Sequence, residues 1–257
     1  MDRNASNTVV IDDVPAATYA TRSAPRRAAL APVPRHDLYR KIHNGLRLCM
    51  ADALGAVGRM DANDPAEVAA VTLRMNELIA LFRGHLDKEN AFIHPALQAR
   101  RPGSTSRIAH DHAEHIEGFA RLAADVQAVR NAKPGTRADA ARALYRDLAA
   151  FVADNLVHMA AEESDHNAAL WATHTDEELA GIERAIIASV PPALLSANLR
   201  WMIPAIPHAD RLAMLTGLRA NLPAQAFDAT LSLLMPHLAA GEWAKLLAGL
   251  GGGYVAR

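Results

Sequence analysis

From His36 to Thr173 the chain reads as long stretches of helical periodicity, broken only at three short turns: Asp61-Ala-Asn-Asp-Pro65, Arg101-Pro-Gly103 and Lys133-Pro-Gly135. Proline removes a backbone donor and glycine releases the chain from the helical region, so such pairs end helices rather than interrupt loops. The pattern predicts helix A over about 36–60 and helix B over about 65–100. Helix C runs from Ser104 or Ser106 to before Lys133, and helix D from near Thr136 to about Thr173. Asp64 is placed to cap helix B, with Pro65 at its first position. Long helices joined by short turns pack antiparallel, which makes an up-down-up-down four-helix bundle. Composition agrees with an all-α fold: 51% of residues are hydrophobic but only 5% aromatic, with alanine and leucine in excess over β-branched residues.

The flanks differ in texture. Residues 1–35 are rich in Ala, Pro, Arg, Ser and Thr without sustained periodicity and read as a flexible arm. Beyond the bundle, 36–173, lies a helical extension, 174–257. It opens with a helix at Asp176–Ser189 and continues in shorter amphipathic helices punctuated by Pro204, Pro207, Pro223 and Pro236. It carries apolar residues at helical spacing, Leu212, Leu215, Leu218 and Leu222, and its helices are the expected contact of a homodimer. A formal net charge of −1 with interspersed signs gives no footprint for nucleic acid or an anionic membrane. No run reaches the ~18 apolar residues of a membrane span. The start carries Asp2, Asp12 and Asp13 rather than a basic signal-peptide region. With Cys49 as the single cysteine, a disulfide framework is excluded and a reducing cytoplasm is the expected location.

Twelve histidines stand in the chain, and their positions matter most. Helix B carries His85-x3-Glu89 and helix D His158-x3-Glu162, each pair on one helix face. These faces are the apolar stripes Leu78, Leu81, His85, Glu89, Phe92, Ala96 and Leu148, Phe151, Asn155, His158, Glu162, Ala169. Helix A adds His43 on the stripe of Tyr39, Leu46 and Met50; helix C adds His112 and His115 among Ile108, Ile116, Phe119, Leu122 and Val126. At about 1.5 Å per residue, His85 and Glu89 lie about 24 and 18 Å from the B/C turn, and His115 and His112 about 17 and 12 Å from it. The other helices fall within the same layer. Two carboxylates in a dry core need neutralising, and imidazoles with bridging carboxylates suit a pair of transition-metal ions. Five histidines and two bridging glutamates, with one oxo or hydroxo bridge, fill all but one position around two octahedral irons.

Here the sequence resembles a known family. Leu38-Tyr-Arg-Lys-Ile-His43, His85…Glu89 followed by Pro95-Ala-Leu97, and His158-Met-Ala-Ala-Glu-Glu163 resemble the hemerythrin-like, HHE cation-binding domain over about 36–172. The resemblance implies a di-iron centre with O2 or NO as ligand. Oxygen-carrying hemerythrins use His-x3-His on the third helix; here the cluster is His110-Asp-His-Ala-Glu-His115, from which His112, His115 or both bind. The carriers end in His-x4-Asp; here Glu162 and Glu163 compete, and Glu162 is preferred by analogy with helix B. The implied function is sensing, storage or detoxification of the diatomic ligand. The alternatives are a redox enzyme reducing peroxide or NO or repairing iron–sulfur clusters, and a metal-stabilised interaction module. His36, His94, His110, His166, His174, His208 and His237 are read as packing or surface residues, with His166 also a candidate neighbour of the centre. Cys49 is read as a buried small residue, Met159 as filler, and Arg47 as either a neighbour of the centre or a surface charge.

Overall fold

The computed structural model describes residues 35–251, and among these all regular structure is helical. Helix α1 (Arg40–Arg59) leads to α2 (Pro65–Lys88), which passes through a π-helical turn, Glu89–Ile93, into α3 (His94–Arg100). Helix α4 spans Ser106–Asn131; α5 (Pro134–Ala161) passes through a second π turn, Glu162–His166, into α6 (Asn167–Thr173). The expected cap forms: Asp64 Oδ1 accepts from the Ala66 and Glu67 amides at 2.8 and 3.4 Å, with Pro65 at the first position. Gly103, at φ 84°, turns the chain between α3 and α4 in a region that side-chain-bearing residues rarely enter.

Helices α1, α2, α4 and α5 pack in a ring, each against the two beside it, as the antiparallel bundle requires. The interior has two apolar ends. One is a large cluster that includes Leu46, Met50, Met75, Leu78, Leu86, Phe119, Leu148 and Met159. The other is a small cluster of Tyr39, Ile93, Leu97, Ala169, Leu170 and Leu179. The charged layer lies between them.

The extension follows as α7 (Asp176–Ser189), α8 (Pro192–Ala205), α9 (His208–Asn221), α10 (Ala224–Leu234) and α11 (Ala240–Gly249), with a short 3-10 turn at Met235–His237. Thr175 and Glu178 start α7 with a reciprocal capping box, as their side chains accept from each other's amides at 3.2 and 2.8 Å. Helix α8 lies against α1 and α2 and does so at glycines. A Cβ on Gly45 would stand 3.0 Å from the Met202 backbone, and one on Gly84 would stand 2.6 Å from Leu194 Cδ2. Beyond that contact the extension has its own core of Leu199, Ile203, Leu215, Phe227, Leu231 and Leu246 among others. The arm read at 1–35 lies outside the described residues except for Arg35. That guanidinium is held by Asp176 at 2.7 Å and by the carbonyls of Trp171 and His174 at 3.1 and 2.8 Å.

Candidate metal centre

Two sets of buried side chains meet in the bundle interior. His43, His85, Glu89 and Glu162 offer ligand atoms that all lie within 4.8 Å of one another, and so do Glu89, His112, His158 and Glu162. The two glutamates belong to both sets. Glu89 turns Oε1 toward His85 Nε2 (3.1 Å) and His43 Nε2 (3.8 Å), and Oε2 toward His112 Nε2 (3.4 Å). Glu162 turns Oε2 toward His158 Nε2 (3.3 Å) and His43 Nε2 (3.5 Å), and Oε1 toward His112 Nε2 (3.7 Å). Each carboxylate therefore spans the two imidazole pairs.

Several observations fit a bound cation. All four carboxylate oxygens and His112 Nε2 are buried without a hydrogen-bond partner, an arrangement folded proteins rarely tolerate. His43 Nε2 and His85 Nε2 face each other at 3.1 Å. Two nitrogens each about 2.1 Å from one first-row metal ion, at a right angle, would stand about 3 Å apart.

The opposite ring nitrogens of His43, His112 and His158 are anchored, each by a neighbouring helix. Glu163 holds His43 Nδ1 at 3.0 Å, Asn90 holds His112 Nδ1 at 2.9 Å, and Asp111 lies 3.5 Å from His158 Nδ1. Glu163 is in turn clamped by Arg47, at 2.6 and 3.0 Å. Such partners fix the tautomer that leaves Nε2 free to ligate. Of the two competing glutamates, Glu162 thus stands at the centre of the cluster and Glu163 behind His43.

Electrostatics express the same crowding. Burial works against a charged His43, but Glu163, Glu89 and Glu162 overcome it and raise its pKa to about 9. His158 behaves alike: burial lowers it, while Glu162 and Asp111 carry it up to about 10. Burial and Glu89 push Glu162 upward, yet His158 and His112 bring it down to about 2. The shifts run in the direction that favours charged imidazoles beside the two carboxylates.

His115 joins neither set. It is buried, with its ring 4.6 Å from that of His158, and burial followed by the charges of His158 and His112 lowers its pKa to about 4. It walls a cavity of about 10 Å3 shared with Phe82, Leu86, Phe119, Asn155 and Met159, room for about one water-sized molecule.

His94, read from α-helical spacing as off the inner face, proves to be buried and stacked on His112 with ring centroids 4.8 Å apart. The cause is the π turn: the His94 amide bonds the Glu89 carbonyl, five residues back, and the wider turn carries His94 round to the face of Glu89. The same slip buries Ile93 and Leu97 in place of the expected Phe92 and Ala96. His166, read as a packing residue or a neighbour of the centre, shares a hydrogen bond between its Nδ1 and the Tyr39 hydroxyl at 3.1 Å. Sequence reasoning also missed Asn90 and Asp111 as anchors. Their signal was adjacency, since each stands beside a proposed ligand, Glu89 or His112. The remaining readings hold: His110 is exposed, His36 pairs with Glu183 at 3.1 Å, and Met159 packs in the core. Cys49 is buried in that core too, and burial pushes its thiol up to about 12.

An antiparallel helical bundle with a buried layer of imidazoles and carboxylates defines a cation-binding helical protein. The description Hemerythrin HHE cation binding domain matches residues 36–170, more than half of the 257 residues, and the chain belongs to that family. Comparison with curated proteins and with solved structures gave no match.

Proposed function

We propose that residues 36–173 hold two iron ions, one between His43 and His85 and the other between His112 and His158, both bridged by Glu89 and Glu162. The observation that carries this reading is that two ligand sets share both carboxylates; separate mononuclear sites would have no such shared pair. Each ion then takes two imidazole nitrogens and an oxygen from each glutamate, leaving positions for a bridge and a small ligand on octahedral ions. When bound, the iron pair supplies a redox-active Lewis-acidic site for O2 or NO, and the protein senses, stores or detoxifies that ligand.

The chain's own residues suit a diatomic ligand. Phe82, Leu86, Phe119 and Met159 form the apolar wall of the small cavity that His85, Glu89, His112 and His158 also line, and its size suits a small ligand rather than an extended one. Glu163, Asn90 and Asp111 hold the Nδ1 side of His43, His112 and His158, which aims their Nε2 atoms inward. Cys49 alone, buried in the core, supports a reducing cytoplasmic setting. Iron-loaded, reduced protein should show a new visible band with O2 or NO that disappears reversibly when the gas is removed. Continuous consumption of NO or peroxide under reductant, with no stable ligand spectrum, would favour the redox enzyme instead.

A further inference from the structure

We propose that His94 and His166, together with Glu162, form a third cation position beside the dinuclear site, suited to a divalent first-row metal ion. This goes beyond the two-iron reading and shares one carboxylate with it. The three residues are buried, and their ligand atoms lie within 4.8 Å of one another. The Nε2 atoms of both histidines are buried without a hydrogen-bond partner, whereas core imidazoles ordinarily find a carbonyl or a water. Their rings stand edge to face with centroids 5.5 Å apart.

The backbone is built to bring them there. Each π turn begins at a bridging carboxylate, and its far end carries one of these histidines: Glu89–Ile93 delivers His94, and Glu162–His166 ends on His166 itself. The Tyr39 hydroxyl on His166 Nδ1, at 3.1 Å, holds that ring as metal-ligating imidazoles are held, by their second nitrogen. An ionised carboxylate offers about four lone-pair sites, so Glu162 can serve a further ion while bridging two. Nitrogen and oxygen donors of this kind take Fe2+, Co2+ or Zn2+. A third cation beside two others is repelled by them and fills last.

Titration of the metal-free full chain with Co2+, followed by visible absorption and isothermal calorimetry, tests this. The wild type should take three equivalents, the third at least tenfold weaker. The His94→Gln/His166→Gln double variant, shown to be helical by circular dichroism, should saturate at two with the first two steps unchanged. Saturation of the wild type at two, or a third equivalent kept by the variant, would overturn the proposal and leave the dinuclear site standing. Saturation of both proteins at one would overturn the two readings together. Should the double variant not fold, Tyr39→Phe decides: weakening of the third step alone supports the position, and unchanged binding overturns it.

Discussion

Glu89 and Glu162 carry no hydrogen bond on any of their four carboxylate oxygens, so their energetics depend on what cation faces them. Under the proposed two-ion arrangement, replacing either by alanine removes a bridge from both ions. Metal analysis of dialysed Glu89→Ala and Glu162→Ala should find the site empty or reduced to one ion. Glu163→Ala removes only the anchor of His43, and equilibrium dialysis should show affinity lower by about 10–100-fold with two ions still bound at saturating metal. Protons compete for the same atoms. In the metal-free chain, the raised His43 and His158, at about 9 and 10 against an ordinary 6.5, stabilise the fold below about pH 6.5 and lose that contribution as pH rises through 9–10. The lowered Glu162, at about 2 against 4.5, contributes above about pH 4.5 and loses it as pH falls through 2. The metal-free Tm should therefore fall between pH 6.5 and 9.5 while the loaded Tm does not. The gap should close toward acid as iron is released; melts of both forms from about pH 4.5 to 9.5 check both trends. The ligand candidates were readable in sequence because a helix displays i and i+4 together. Asn90, Asp111 and Glu163 were marked in the sequence only by standing beside proposed ligands, because each acts on an imidazole of another helix and helical periodicity carries no information across that gap.

At the scale of elements, the period of 3.6 held to Glu89 and then slipped. The prediction of one continuous helix B from 65 to 100 matches the path of the chain, but a π turn adds a residue to the register and moves burial from Phe92 to Ile93. Nothing in Asn90-Ala-Phe-Ile93 marks such a turn; only the neighbouring helices and the carboxylate it positions do. Turn chemistry was more legible, since Asp64-Pro65, Gly103 and Pro134 end and start helices by their own backbone constraints. The seat of α8 on α1 was not legible, because Gly45 reads as a neutral helix residue until Met202 is placed against it. Gly45→Ala drives a methyl group toward Met202 backbone at 3.0 Å, and the backbone cannot swing aside as a side chain would. It should destabilise the chain by about 1–3 kcal/mol, read as a lower urea midpoint, with the metal stoichiometry unchanged.

For the whole molecule, every proposed ligand lies within 36–173, while the extension adds a separate apolar core and covers part of α1 and α2. A truncated chain of residues 34–175 should stay helical and bind the same metal, but it should aggregate more readily because the surface under Leu194 and Met202 becomes exposed. Static light scattering beside metal analysis would read both effects. The central claim, a pair of irons bridged by Glu89 and Glu162, is tested most directly by the metal content and optical spectrum of full-length protein from iron-replete cells. Two irons per chain retained through dialysis, with near-ultraviolet absorption of a bridged ferric pair, is the predicted result. One zinc per chain, unchanged after anaerobic loading with iron, would contradict it.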